Sequence, residues 1–279
     1  MNLLLGPASI DRYTHEGRDL PGGGALNMAY HWSRLGLPFR FLTRVGADDG
    51  AVVLEFLRRH RIEHLPGSIT APGVSASIDI VFRADRQPFM DHFVEGVWDG
   101  FRLTAEEEAA IAAAHSLHGV LVDPVVDELH RLGERGDLDR LPVSGDFLDF
   151  RHYDVERFAT TMAHLAIGFV GWPGEPDDPV VHGLRHIAEQ LDRLLVVTLG
   201  SRGVIVVEGR AGGHLHPVAA VPVAGTTVGC GDAFIAAFLA AHLTGAPLGT
   251  ALDRARAAGA LATTWMRPLP DDAYGLGTG

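Results

Sequence analysis

The 279-residue chain carries 35 acidic against 23 basic side chains, a net charge of −12, and 47% of its residues are hydrophobic. The acidic surplus argues against a nucleic-acid partner, because neutralising phosphates takes clustered lysine and arginine. A single cysteine can form neither an internal disulfide nor a cysteine-based zinc site.

The length suits one large domain, with or without a small accessory piece. The opening MNLLLGPASID has neither the basic start nor the long apolar stretch of a secretion signal, and Leu3 to Leu5 form a short apolar run that Gly6 closes, as in a buried strand. PGGGALN then leads into a helix over 25–35, with Gly36 as its C-terminal cap. FRFLTRVG reads as a second strand. DGAVVLEFLRRHR reads as a helix with Val52, Val53, Phe56 and Leu57 on one face. Between Val74 and Phe93 the period changes to two: Ile78, Ile80 and Phe82 alternate with Ser77, Asp79 and Val81, which predicts a strand with two different faces. The polar turn RADRQ and a second strand complete a hairpin. Beyond it, short apolar strands alternate with helical segments, through GVLVD, LAIGFVG, RLLVVTLG and GVIVVEG, the order of a mainly parallel sheet with helices on both faces. The hairpin interrupts that order as a small lid. The tail DDAYGLGTG is expected to be loosely held. The longest apolar helix, 233–243, falls far short of the ~20 residues of a membrane span, and with one cysteine the expected location is the cytoplasm.

Two glycine-rich segments precede helices, GGGALN and VGCGDAF. Backbone N–H groups at a helix start bind anions with help from the helix dipole. Gly229, Cys230 and Gly231 are therefore candidates for holding a phosphoryl group in transit, with Cys230 contributing its N–H and not its sulfur. Asp232 can cap the helix that follows, or take a proton from an attacking hydroxyl. No G-x-x-x-x-G-K-[ST] motif is present, so phosphate chemistry here is not of the P-loop type.

GGGALNMAYHWSRLG and TTVGCGDAFIAAF together resemble the two signature segments of the PfkB (ribokinase-like) family of sugar kinases, and TLGSRG resembles its nucleotide-binding turn. FMDHFVEGVWDGFRLTAEE and SGDFLDF resemble the fructosamine kinases within it. The resemblance implies a ribokinase-like three-layer α/β sandwich, a single domain over 1–279, with a β lid over 10–22 and 73–95. It implies ATP and Mg²⁺ as cofactors, a small-molecule sugar as substrate, and Asp232 as catalytic base beside an anion hole of Gly229, Cys230 and Gly231. Asp11, Gly23 and Asn27 match sugar-binding positions. Thr198, Gly200, Gly203 and Thr227 match the ATP site, and Glu175 the metal site. Under this reading Asp232 both caps its helix and acts as base.

The chain departs from the family at Thr226, where an Asp is frequent, and in WPGE, where Trp172 replaces an Asn and Glu175 is kept. Gly24 and Pro7 also stand where polar residues are common. The implied activity is transfer of the ATP γ-phosphoryl group to a sugar hydroxyl, with the 6-hydroxyl of a fructosamine such as fructoselysine as the specific candidate. Asp79, Asp91, Glu95 and Asp99 would draw the amine to the pocket mouth. A nucleoside kinase and a non-catalytic sugar or nucleotide sensor are the alternatives. A homodimer formed through the lid is a further expectation.

Overall fold

The computed structural model describes residues 1–82, 88–218 and 221–276; the turn RADRQ, with Arg83 and Arg86, lies outside them. The chain gathers into two compact units, residues 1–3 with 102–221 and residues 4–101 with 222–279.

The first unit is built on short apolar strands. Ser116–Val120, Val143–Asp146, Ile167–Gly171 and Leu194–Thr198 pair side by side, each pairing parallel. Parallel neighbours need a crossover, and the helices Asp123–Glu134, Val155–Met162 and Pro179–Leu191 supply it. Leu195, Val196 and Val197 are all fully buried, as a strand covered on both faces requires. The alternation then stops. Val204–Glu208 and Gly213–His216 are added antiparallel, because the link from Thr198 to Val204 is a tight turn with no room for a crossover helix. Gly200 and Gly203 make that turn, with φ of 60° and 124°.

In the second unit GGGALN opens the helix Gly24–Leu35, closed by Gly36 in the left-handed conformation. FRFLTRVG forms two short strands, Phe39–Leu42 and Val45–Gly46, where one was expected. The break falls at Thr43 and Arg44, both buried. Thr43 Oγ1 accepts from the Ala8 N–H at 3.0 Å, and Val45–Gly46 pairs with Thr70–Ala71. The helix Cys230–Leu243 has Phe234, Ile235, Phe238 and Leu239 buried on several sides, and a helix apolar all round must be enclosed. Helices Gly24–Leu35 and Leu248–Ala262 pack against it.

A second sheet in this unit orders its strands as Arg18–Gly22, Ser9–Tyr13, Ala76–Phe82 and Pro88–Val94, within the ranges expected of the lid but starting at Ser9. Ser9–Tyr13 and Ala76–Phe82 run parallel, with Asp11 beside Ile78, Arg12 beside Asp79 and Tyr13 beside Ile80. Tyr13, Leu20 and Ile80 form a buried cluster with Ile78 and Phe82 packed on it. Alternation therefore puts Asp11 and Tyr13 on the covered face and Asp79 on the other.

Up to Leu276 the tail is better held than expected; residues 277–279 lie outside the described residues. Asp271–Tyr274 is a 3-10 turn, and Tyr274 and Leu276 pack onto the Tyr13 cluster. These two apolar side chains anchor residues 271–276.

Candidate active site

The two glycine-rich segments meet because two helices run side by side in the same direction. Asn27 Nδ2 donates to Asp232 Oδ2 at 2.7 Å, and about one turn further along both helices Trp32 Nε1 donates to the Ala236 carbonyl at 3.0 Å. Both contacts advance together, so the helix starts lie at the same end. Asp232 is not the cap of its helix. Gly229, at φ 77°, occupies the cap and no side chain fills that role; the carboxylate, two residues inside the helix, turns to Asn27. Its charge still suits the first turn of a helix.

Asp11 sits in the strand Ser9–Tyr13, buried, and accepts a hydrogen bond from Ser9 Oγ at 2.9 Å. Burial pushes its carboxyl up to about 7, with the negative charge of Asp232 adding to the rise. Burial also raises Asp232, to about 6, while the bond from Asn27 holds it lower than it would otherwise be. Two acids of raised pKa in one place mark a site able to hold and exchange protons near neutrality. Asn27 is buried, and its Oδ1 has no partner among the described residues. Such an orphan acceptor is costly unless something donates to it, and a ligand hydroxyl would satisfy it. Gly23 begins the Asn27 helix at φ 93°, and a side chain there would crowd the Pro7 carbonyl at 2.8 Å. Gly22, outside the expected sugar-binding positions, faces the Asp11 carboxylate so closely that a Cβ would strike it.

The glycines of the second loop divide by role. A Cβ on Gly229 would meet Pro268 Cα at 2.6 Å, whereas one on Gly231 meets nothing within 4 Å. Gly229 is thus demanded by the fold, and Gly231 leaves open backbone at the start of a helix. The Cys230 N–H points back to the Thr227 carbonyl at a long 3.4 Å. Its thiol, raised to about 11 by burial and by Asp232, stays protonated. Thr226 is fully buried; its N–H donates to the Trp265 carbonyl at 2.8 Å and its Oγ1 accepts from the Val228 N–H at 3.3 Å. Thr227 is exposed.

In the first unit, Thr198 ends its strand, its Oγ1 donating to the Val170 carbonyl at 3.4 Å, and Gly200 and Gly203 shape the turn that follows. The WPGE turn is organised by Asp178, whose Oδ2 accepts from Trp172 Nε1 at 2.8 Å and from the Glu175 N–H at 2.9 Å. Arg202 bridges the two turns, bonding the Pro173 carbonyl and facing Glu175 at 3.9 Å. Among the described residues no cluster of three or more His, Cys, Asp or Glu could hold a metal alone.

Two of the acidic residues expected at the pocket mouth face each other on the second sheet. Asp79 lies directly opposite Asp91 across the strand pair, and His92, at φ 49°, brings its Nδ1 to 3.1 Å from Asp79. This cluster is on the sheet face away from Asp11. Glu95 is exposed just before the 3-10 turn Gly96–Trp98.

A model of the pfkB family of carbohydrate kinases matches residues 167–267, which hold both the Thr198–Gly203 turn and the loop ending at Asp232. The acarbose 7(IV)-phosphotransferase of an Actinoplanes species is 30% identical, over 85% of this chain and 78% of that protein. The chain belongs to the pfkB family of carbohydrate kinases. The fructoselysine 6-kinase of Escherichia coli K12 is 28% identical over 92% of this chain and 94% of its own. The solved structure of Arabidopsis thaliana ribokinase complexed with ribose and ATP aligns with a TM-score of 0.77 at 18% identity, covering 98% and 96% of the two chains. The fold of this pfkB kinase is accordingly the ribokinase-like α/β sandwich, and the chain is a phosphotransferase.

Proposed function

We propose that this kinase transfers the γ-phosphoryl group of ATP to a hydroxyl of a small sugar, and that its acceptor is a fructosamine such as fructoselysine, phosphorylated on the 6-hydroxyl. The observation that carries the kinase chemistry is the buried Asp11 and Asp232 beside an unpartnered amide oxygen and the open backbone of Gly231. The choice of a fructosamine rests on the relative that spans nearly the whole chain.

In this reading the ionised Asp232 takes the proton of the attacking hydroxyl, a role for which a pKa near the working pH is best suited. The Asn27 bond keeps the carboxylate aimed and limits the rise in its pKa. Asn27 Oδ1 accepts from a sugar hydroxyl, and Asp11 holds a second one. The Gly231 N–H, in the first turn of helix Cys230–Leu243, faces the developing negative charge, the missing side chain of Gly231 leaves room for it, and the long bond from the Cys230 N–H to Thr227 lets that group turn to join it. Thr198, Gly200, Gly203 and Thr227 contact the nucleotide. Glu175, an exposed single carboxylate, would hold Mg²⁺ through its retained waters, and the bound ion would supply neutralisation of phosphate charge. The sheet of strands between Ser9 and Val94 acts as the lid of one kinase domain spanning 1–279, excluding water from the transfer. Its edge strand exposes Met90 at 44% and Phe93 at 57%, which supports a homodimer formed through the lid. We place the activity in the cytoplasm.

The test is kcat/KM with ATP for fructoselysine, fructose, ribose and a nucleoside, in wild type and Glu95→Gln. The proposal expects fructoselysine to be preferred and the preference to shrink in the variant. Preference for a nucleoside would reassign the acceptor. No phosphorylated product from any of them would defeat the proposal.

A further inference from the structure

The segment between helix Leu248–Ala262 and the turn Asp271–Tyr274 touches the proposed site from two directions. On one side its main chain braces the glycine loop. The N–H groups of Gly225 and Thr226 each donate at 2.8 Å to the carbonyls of Thr263 and Trp265, and Pro268 occupies the space where a Gly229 side chain would stand. On the other side the same segment sends Arg267 to the second sheet. Arg267 is only 8% exposed. Its guanidinium pairs with Glu16, in the turn after Ser9–Tyr13, and with Asp271 at 2.7 Å, and it lies 5.2 Å over the Tyr13 ring. Tyr13 shares its strand and its face with Asp11.

Asp11 and Asp232 thus sit on elements that are far apart in sequence, and each has its own local support: Ser9 for Asp11 and Asn27 for Asp232. The Arg267 pair with Glu16 is of a different kind. It ties the hairpin that carries Asp11 to the segment that holds the loop in front of Asp232. An exposed ion pair would be a weak tie. A buried guanidinium is costly when it loses a partner, so this tie resists being stretched.

We infer that Arg267 is a positioning residue for phosphoryl transfer, fixing the Asp11 strand against the Asp232 loop through Glu16. The inference rests on the reading of Asp232 as base. Misplacing reacting groups by about 1 Å costs on the order of 100-fold in rate, so loosening this tie reaches catalysis without removing any group that touches substrate.

The experiment compares Arg267→Met, Glu16→Gln, the double variant and Arg267→Lys with wild type, reading kcat, the sugar KM, the ATP KM and thermal melting. Each single variant is expected to lower kcat/KM for the sugar by roughly 10- to 100-fold, with the ATP KM unchanged. The double variant should be no worse than the poorer single one, since both break one tie, and Arg267→Lys should recover part of the loss by keeping the charge. If Arg267→Met is unfolded at the assay temperature, Glu16→Gln and Arg267→Lys decide the matter. Variants that melt lower yet keep wild-type kcat/KM would overturn the inference, as would singles whose losses simply add. Asp232→Asn run alongside separates the two claims. Activity in that variant removes the base reading, whereas an inactive Asp232→Asn beside fully active Arg267 and Glu16 variants removes only the role given to Arg267.

Discussion

Burial raises the carboxyls of Asp11 to about 7 and Asp232 to about 6, and the sign of each shift has separate consequences for rate and for stability. A base must be ionised, so kcat/KM should fall as pH drops through about 6 and level off above about 7. Stability should move the other way. Both folded carboxyls bind a proton more readily than the ordinary value of 3.8 allows. Their contribution is therefore complete below pH 3.8 and is lost as pH rises through about 6 to 7. Denaturation midpoints across that range, for wild type and for Asp11→Asn, should show the variant's decline to be shallower. Asn27→Ala removes the bond that holds Asp232 down, so its acid limb should shift to higher pH while the sugar KM rises. A limb that stays in place would mean Asn27 does not tune the base. Cys230→Ala should keep near wild-type turnover, because a protonated thiol at this position has no assigned task; a large loss of kcat would give the sulfur one.

Helix starts explain what the two glycines of VGCGDAF are for, and the contrast between them is measurable. Gly229→Ala forces a side chain into a left-handed residue against Pro268 and should lower the melting temperature. Gly231→Ala enters open space within a helix, where alanine is favoured over glycine by up to about 1 kcal/mol. That variant should melt no lower than wild type and still lose most of its transfer rate, because the methyl group fills the approach to the backbone N–H groups. An active Gly231→Ala enzyme would remove the anion hole from the account. The helix itself was plain in the sequence, since Ala233 to Leu243 lacks a polar face. Its cap was not: Asp232 is the residue type a cap prefers, yet Gly229 takes that place because only glycine fits beside Pro268. The lid strands were also legible from their period of two. Alternation tells that a strand has two faces without saying which one is covered, and only the pairing of Asp11 with Ile78 puts Asp79 and Asp91 on the far side.

At the scale of the molecule, the alternating apolar strands and the two glycine signatures were enough to give the fold class. Partnerships across the chain were not available to that reading. Asn27 and Asp232 are 205 positions apart, and nothing local in either segment announces the bond between them. Arg267 gave no signal at all, standing among WMRPLP as an ordinary charged residue until the ion pair with Glu16 is seen. What remains decisive is the role of Asp232 itself, since the pH behaviour, the tuning by Asn27 and the tie through Arg267 all depend on it. The measurement is transfer of radiolabelled γ-phosphate from ATP to fructoselysine by wild type and Asp232→Asn, with sugar and nucleotide binding measured on the same preparations. Asp232→Asn should lose roughly 10²- to 10⁴-fold in transfer, the usual share of a general base, with both ligands still bound. Transfer at the wild-type rate by Asp232→Asn would contradict it.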